Sequence, residues 1–197
     1  MATKQQIKSQ QTMDELMASA LELFEAKGYQ DASVADITRK AGYAKGSFYR
    51  CWSSKDELFL QILEKKLGQY RQARDERIKS ADSLEQALRI IWDFLESMVV
   101  DRNWAKIFLE FTVHAARDKN LRGQLAKSQH RLSEDVFARL LAPFVPEGCS
   151  AERIGALNTA LFEGFMVHNA LEIGVLRLED VREAAVALAL RQVRETC

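Results

Sequence analysis

The sequence predicts an all-α protein. An N-terminal three-helix helix-turn-helix unit spans residues 1–55, and a helical bundle of six or so further helices spans 56–197. Three observations carry this expectation. Apolar residues recur at helical spacing along the whole chain, and no stretch of useful length alternates as a strand would. Only two prolines, Pro143 and Pro146, occur in 197 residues, so the backbone permits long helices almost everywhere. Helix-start signatures also stand ahead of periodic segments: Thr12-Met-Asp-Glu15, Ser33-Val-Ala-Asp36, Ser54-Lys-Asp-Glu57 and Ser83-Leu-Glu-Gln86.

Taken in order, the first helix follows Thr12, with Leu16, Ala20, Leu23 and Phe24 on one face, and stops at Gly28. A short second helix runs from Ser33 to Lys40, and a short third from Lys45 to Cys51. The fourth begins at Ser54 and continues to Lys79, burying Leu58, Phe59, Ile62, Leu63, Leu67 and Tyr70. The fifth points Leu88, Ile91, Trp92, Leu95 and Met98 inward. The sixth carries Trp104, Ile107, Phe108 and Phe111. A seventh is expected over 120–141, with Leu121, Leu125, Leu132, Val136 and Phe137 inward and His130 outward. The break at Pro143–Ser150 precedes an eighth helix to Gly174 and a ninth from Glu179 to Arg194, nine in all.

Composition narrows the function. Lysine plus arginine equals aspartate plus glutamate, 28 each, so any surface for nucleic acid must be local. Three scattered cysteines, Cys51, Cys149 and Cys197, make no disulfide framework and contain no CxxC. The polar opening MATKQQIKSQQTMDE lacks an apolar signal core, and the longest apolar run, 184–190, is too short to span a bilayer. A cytoplasmic protein without a membrane segment is expected.

The informative part is the pair of short helices joined by Ala41-Gly-Tyr-Ala44, the arrangement of a helix-turn-helix. Between Ile37 and Lys55 stand Arg39, Lys40, Lys45, Arg50 and Lys55, with no acid among them. A neutral chain thus concentrates positive charge where a duplex would dock. Gly46 admits a close backbone approach, and Ser47 is small enough to meet a base edge or a phosphate. Tyr49 offers a hydroxyl to a phosphate, Lys45 has the reach for a guanine, and Lys55 stands at a helix N-terminus. One recognition helix per chain calls for a dimer on a pseudo-palindromic duplex.

Residues 16–63 closely resemble the DNA-binding domain of the TetR family of repressors. The matching residues are Ala20-Leu-Glu-Leu-Phe24, Lys27-Gly-Tyr29, Ser33-Val34, Ile37, Ala41-Gly42, Lys45-Gly-Ser-Phe-Tyr-Arg50 and Ser54-Lys55 before Leu58. The chain departs from the family pattern at Cys51-Trp52 and at Ala44, and lacks a basic residue just before Leu16. The resemblance implies that Ser33, Lys45, Ser47, Tyr49 and Lys55 contact DNA. It also implies that the third helix enters the major groove, and that the last two helices form a homodimer interface.

The second half holds most of the large aromatics. Trp92, Trp104, Phe108, Phe111 and Phe165, with His114 and His168 as polar anchors, are candidates to line a cavity for a small-molecule effector; for any single ring a plain core role is the simpler reading. His114 follows Glu110 at i+4, but no Glu-x-x-His pair is present, so no metal site is assigned. There is no phosphate loop, no nucleophile–base pair and no cofactor motif. The function expected is therefore a ligand-responsive DNA-binding repressor. The alternatives are a constitutive regulator with a filled core and, further off, a helical enzyme.

Overall fold

Thr3 starts the first helix. Its hydroxyl accepts from the Gln6 amide at 3.2 Å, and the Gln6 side chain accepts from the Thr3 amide at 2.7 Å, a complete capping box. In the computed structural model, which describes residues 3–127 and 134–196, helix α1 accordingly covers Lys4–Asp31. The start expected at Thr12 is corrected: the Thr12 hydroxyl donates to the Lys8 carbonyl at 3.0 Å inside the helix. No proline or glycine separates Thr3 from Leu16, so a cap-like tetrapeptide in the middle bonds back into the turn before it. The core face of α1 begins only at Leu16.

Gly28 ends the regular part of α1 with φ +83° and ψ 162°, a conformation that belongs to glycine. Ser33 and Asp36 form the second complete box, opening α2 (Val34–Lys40). Gly42, with φ +74°, turns the chain into α3 (Lys45–Tyr49), which is two residues shorter than expected. Helix α4 (Lys55–Ile78) is capped by Ser54, whose hydroxyl accepts from the Glu57 amide at 3.1 Å. Glu57 reaches past the cap residue to the amide and hydroxyl of Ser53, so this box is shifted by one position.

Then follow α5 (Leu84–Val99), α6 (Arg102–Arg117), α7 (Lys119–Lys127), α8 (Glu134–Leu141), a 3₁₀ turn (Ala142–Phe144), α9 (Ala151–Ala170) and α10 (Leu178–Thr196). The described residues thus contain ten α-helical segments and one 3₁₀ turn, in rough agreement with the nine helices expected, and no strand. The seventh expected helix corresponds to α7 and α8; His130 and Leu132 lie outside the described residues, as do the side chains of Leu67, Tyr70, Met98 and Val136. Gly174, expected at the end of the eighth helix, lies beyond the end of α9 with φ +58°. Cys51 is a free thiol, whereas Cys149 is disulfide-bonded, which corrects the reading of all three cysteines as unlinked.

A single apolar core runs from Leu16 in α1 to Ala189 in α10. Helix α1 packs on α6, α4 on α5, and α9 on both α8 and α10. The join between the two halves is aromatic. Phe59 of α4 stacks on Phe111 of α6 with ring centroids 4.2 Å apart and on Trp104 at 5.7 Å. The Tyr29 ring meets Phe111 edge-on at 5.2 Å. The boundary expected after residue 55 therefore falls in the first turn of α4, a helix whose apolar face both halves share.

Candidate nucleic-acid interface

Helix α3 is held from one side only. Phe48 is fully buried and touches Trp52, with ring centroids 5.4 Å apart, which fixes the roll of the helix. The other residues of its short turn and a half then face out: Lys45, Gly46, Tyr49 and Arg50 are exposed and Ser47 is half-buried. A Cβ added to Gly46 would meet nothing within 4 Å, so this glycine presents bare backbone to open space. Arg50 donates to the Ser47 hydroxyl at 3.1 Å, pairing two expected contacts before any duplex arrives. Lys45 has no ion-pair partner among the described residues.

The other cations of the segment are already engaged. Arg39 pairs with Asp36 at 3.1 Å and Lys40 with Glu22 at 2.8 Å. Lys27 also lies 2.8 Å from Asp36. That lysine, then the Ser33 hydroxyl and amide, hold the Asp36 carboxyl well below the usual carboxylate range. The Ser33 hydroxyl, expected to contact DNA, accepts from the Asp36 amide at 3.1 Å and donates to its carboxylate at 2.7 Å.

Lys55, expected to contact DNA from the start of the fourth helix, stands at that start and is engaged within the protein. Its ammonium donates to the carbonyls of Tyr29 (2.6 Å), Ala32 (2.9 Å) and Gln30 (3.2 Å) and lies 4.3 Å from the centre of the Tyr29 ring. All three N–H groups have a backbone acceptor at the end of α1, where carbonyls lack helical partners. Burial lowers the pKa of this ammonium from its ordinary value. Lys55 therefore ties α4 to α1, and a phosphate would have to displace these bonds.

The same junction draws in α6. The Glu110 carboxylate accepts from the Tyr29 amide at 2.7 Å, and its oxygens lie 3.0 and 3.2 Å from where a Cβ on Gly28 would stand. The Asp56 carboxylate accepts from the Tyr29 hydroxyl and lies 3.0 Å from His114 Nε2. Burial, then Asp56, push the Tyr29 phenol up. The i, i+4 spacing of Glu110 and His114, read above as a conceivable metal pair, instead sets two polar groups on one face of α6 against the DNA-binding unit. Among the described residues, no cluster of metal-ligating side chains occurs. Tyr29 and Asp56 were invisible as a polar pair, because nothing in their sequence spacing of 27 residues announces contact.

The expected effector residues separate into two groups. Trp104, Phe111 and His114 gather around Phe59 and Tyr29 at the junction. Trp92 lies deeper, fully buried, donating to Asn158 at 2.9 Å and meeting Phe162 edge-on at 6.0 Å. Phe108 and Phe165 are buried in the same core, and His168 is exposed near the end of α9.

Comparison with known proteins accords with this architecture. Residues 16–62 match the profile of bacterial regulatory proteins of the tetR family, and residues 83–194 match that of the C-terminal region of BetI-type transcriptional repressors. The chain is 25% identical over 188 residues to the HTH-type transcriptional regulator CymR of Pseudomonas putida, covering 92% of this chain and 91% of that protein. It is 33% identical over 106 residues to the regulator YwcC of Bacillus subtilis, where the matched stretch spans only 47% of the relative. Among solved structures, a TetR-family regulator from Syntrophomonas wolfei superposes with a TM-score of 0.73 over 94% of this chain and 96% of that one, at 16% identity. FadR of B. subtilis, solved with stearoyl-CoA, superposes at 0.70 over 89% of this chain and 96% of that one, at 18% identity. No described helix is long and apolar enough to cross a membrane. With its helix-turn-helix and its C-terminal bundle both matched, this chain belongs to the tetR family of bacterial regulatory proteins, and it is a DNA-binding transcriptional regulator rather than an enzyme.

Proposed function

We propose that the protein is a homodimeric repressor that docks α3 in the major groove of a pseudo-palindromic operator and is released by a small apolar or amphipathic molecule bound in its C-terminal half. The observation that carries this reading is the polar junction at Tyr29. Three elements meet there: the end of α1, the start of α4 and the middle of α6. A shift of α6 on ligand binding therefore acts on Lys55 and Tyr29 together, and through them on the spacing of the two recognition helices. DNA requires that spacing to match half-sites about 34–36 Å apart, so a small displacement lowers affinity. Helices α9 and α10 leave the small residues Ala160, Gly164 and Ala184 exposed, with Ala156 half-buried, for close pairing with a second copy, whereas Gly155, Ala185 and Ala189 are buried in this chain's own core.

The reading is tested by operator affinity with and without a bound ligand. Linkage requires that a ligand which weakens DNA binding be weakened by DNA by the same factor. A coupling of about 1–3 kcal/mol corresponds to roughly 5–150-fold. Equal operator affinity in the presence of every ligand shown to bind would leave a constitutive regulator. The complete burial of Trp92, Trp104 and Phe111 favours that second reading.

A further inference from the structure

Three polar residues are buried among the described side chains: Thr38, Asn158 and Arg74. The first two are satisfied. The Thr38 hydroxyl donates to the carbonyls of Val34 and Ala35, and Asn158 accepts from Trp92 and donates to the Ile154 carbonyl. Arg74, on the C-terminal half of α4, is the charged one, with 5% of its surface exposed. Its Nε and Nη2 both go to one oxygen of Asp75, at 2.8 and 2.7 Å. Its Nη1 is buried without a hydrogen-bond partner. Nη1 carries two of the five N–H groups of a guanidinium, which has no acceptor, and both stay unmet in the interior.

The surrounding charge does not compensate. Burial lowers the pKa of this guanidinium, and although Asp75 opposes that, the charges of Arg71 and Arg139 add to it. Arg71 itself pairs with Glu64. Arg71 and Arg139 thus set further positive charge beside the Arg74 guanidinium, at a corner made by α4, α5 and α8. The guanidinium carbon also lies 4.7 Å from the centre of the Phe94 ring of α5, so the polar head has an apolar wall beside it. A buried, unpaired charged donor costs the full desolvation of that group, and native structures keep such groups where something uses them.

We infer that Nη1 of Arg74 anchors the carboxylate of an amphipathic monoanionic effector whose apolar body lies against the Phe94 side of the bundle. A carboxylate supplies the two acceptor oxygens that a guanidinium edge fits, and its negative charge offsets the positive charge of Arg71 and Arg139 nearby. A dianionic phosphate would set its second charge against Asp75. Anchoring on Arg74 places the ligand on the helix that begins with Lys55, so the head group pulls directly on the element tied to the DNA-binding unit. This inference rests on the effector reading above and adds the sign of the effector's charge.

The test uses the full-length protein and the variants Arg74→Met, which keeps an unbranched apolar stem without the charge, and Arg74→Lys. Without ligand, Arg74→Met unfolds at the same temperature as wild type or higher, because an unpaired buried charge has been removed. A clear fall in melting temperature would make Arg74 a structural residue and overturn the inference. Straight-chain carboxylates of graded length are then titrated beside the primary alcohols of the same lengths, read by thermal shift and by release of operator DNA. Wild type should bind a carboxylate at least about tenfold tighter than its alcohol, the scale of one charge-assisted hydrogen bond. Arg74→Met should erase that difference while leaving the alcohols unchanged, and Arg74→Lys should restore part of it. Carboxylates and alcohols that bind wild type equally and release DNA equally would sink the anion anchor and leave the effector reading standing. If neither class binds or moves operator affinity, both fail.

Discussion

The two ends of α4 treat a cation in opposite ways. At its start, Lys55 has three hydrogens and three backbone acceptors, all at the end of α1. Nineteen residues on, about 28 Å along the helix at 1.5 Å per residue, Arg74 is buried more deeply with Nη1 unmet. The N-terminal unit is largely complete in itself: its boxes at Thr3 and Ser33 are closed, and among the cations from Arg39 to Lys55 only the Lys45 side chain has no hydrogen-bond or ion-pair partner among the described residues. The C-terminal half has a buried apolar core but an unfinished polar one. The contrast separates a unit that presents a preformed surface from one whose last hydrogen bonds come from something it binds.

The hardest way to break the contrast is through the aromatic join that the two halves share. Phe111→Ala removes a fully buried ring stacked on Phe59 and touching Tyr29, and should cost about 3–5 kcal/mol. Urea unfolding followed by near-UV and far-UV circular dichroism should shift as one transition. Separate transitions for the two halves would show that they are stable independently. Gly28→Ala should cost roughly 1–3 kcal/mol, since alanine resists the +83° φ and its Cβ would press on Glu110. The same variant should loosen α6 from α1, visible as faster amide exchange at Tyr29.

Lys45→Ala sharpens the contrast from the other side. It should leave the melting temperature unchanged, because Lys45 is exposed and unpaired, while weakening operator binding by about 1–3 kcal/mol with loss of preference at one base position. A loss equal for all sequences would move Lys45 to a phosphate contact. The smallest effect belongs to Asp36. Its folded pKa lies below its ordinary value of 3.8, so the stability it supplies is present above that value and is lost as pH falls through the folded one. Asp36→Asn should therefore lower stability slightly near neutrality and converge with wild type at low pH, which flattens the acid limb of the stability curve below about pH 4.

Much of the N-terminal unit was legible because its determinants are local. Ser33 and Asp36, Gly42 in the turn and the Lys45-to-Arg50 run lie within a few residues of the groups they act on, and their spacing states their role. Gly28 could be read as a chain-turning glycine, though not that a carboxylate from α6 would lie against it. The local signals also misled once. Thr12 carries the same tetrapeptide signature as a true cap, and only the continuous helix-forming stretch upstream decides that it sits in an interior turn. The assignment of Lys55 to a phosphate followed from its position at a helix start, and the backbone acceptors that occupy it come from a different helix.

What the sequence determined by itself was the all-α class, the position of the helix-turn-helix and the face of α3 that looks outward, since periodicity and capping are properties of neighbouring residues. Which polar groups meet across the fold was decided by tertiary structure alone. Tyr29 finds Asp56 and Glu110, Trp92 finds Asn158, and Arg74 is left short of a partner, through contacts spanning up to 81 residues of sequence. A helical pattern says which side of a helix is apolar and therefore buried. It does not say which helix will cover that side, and a buried polar atom is satisfied or orphaned by its neighbour across the interface, not by its neighbours in the chain.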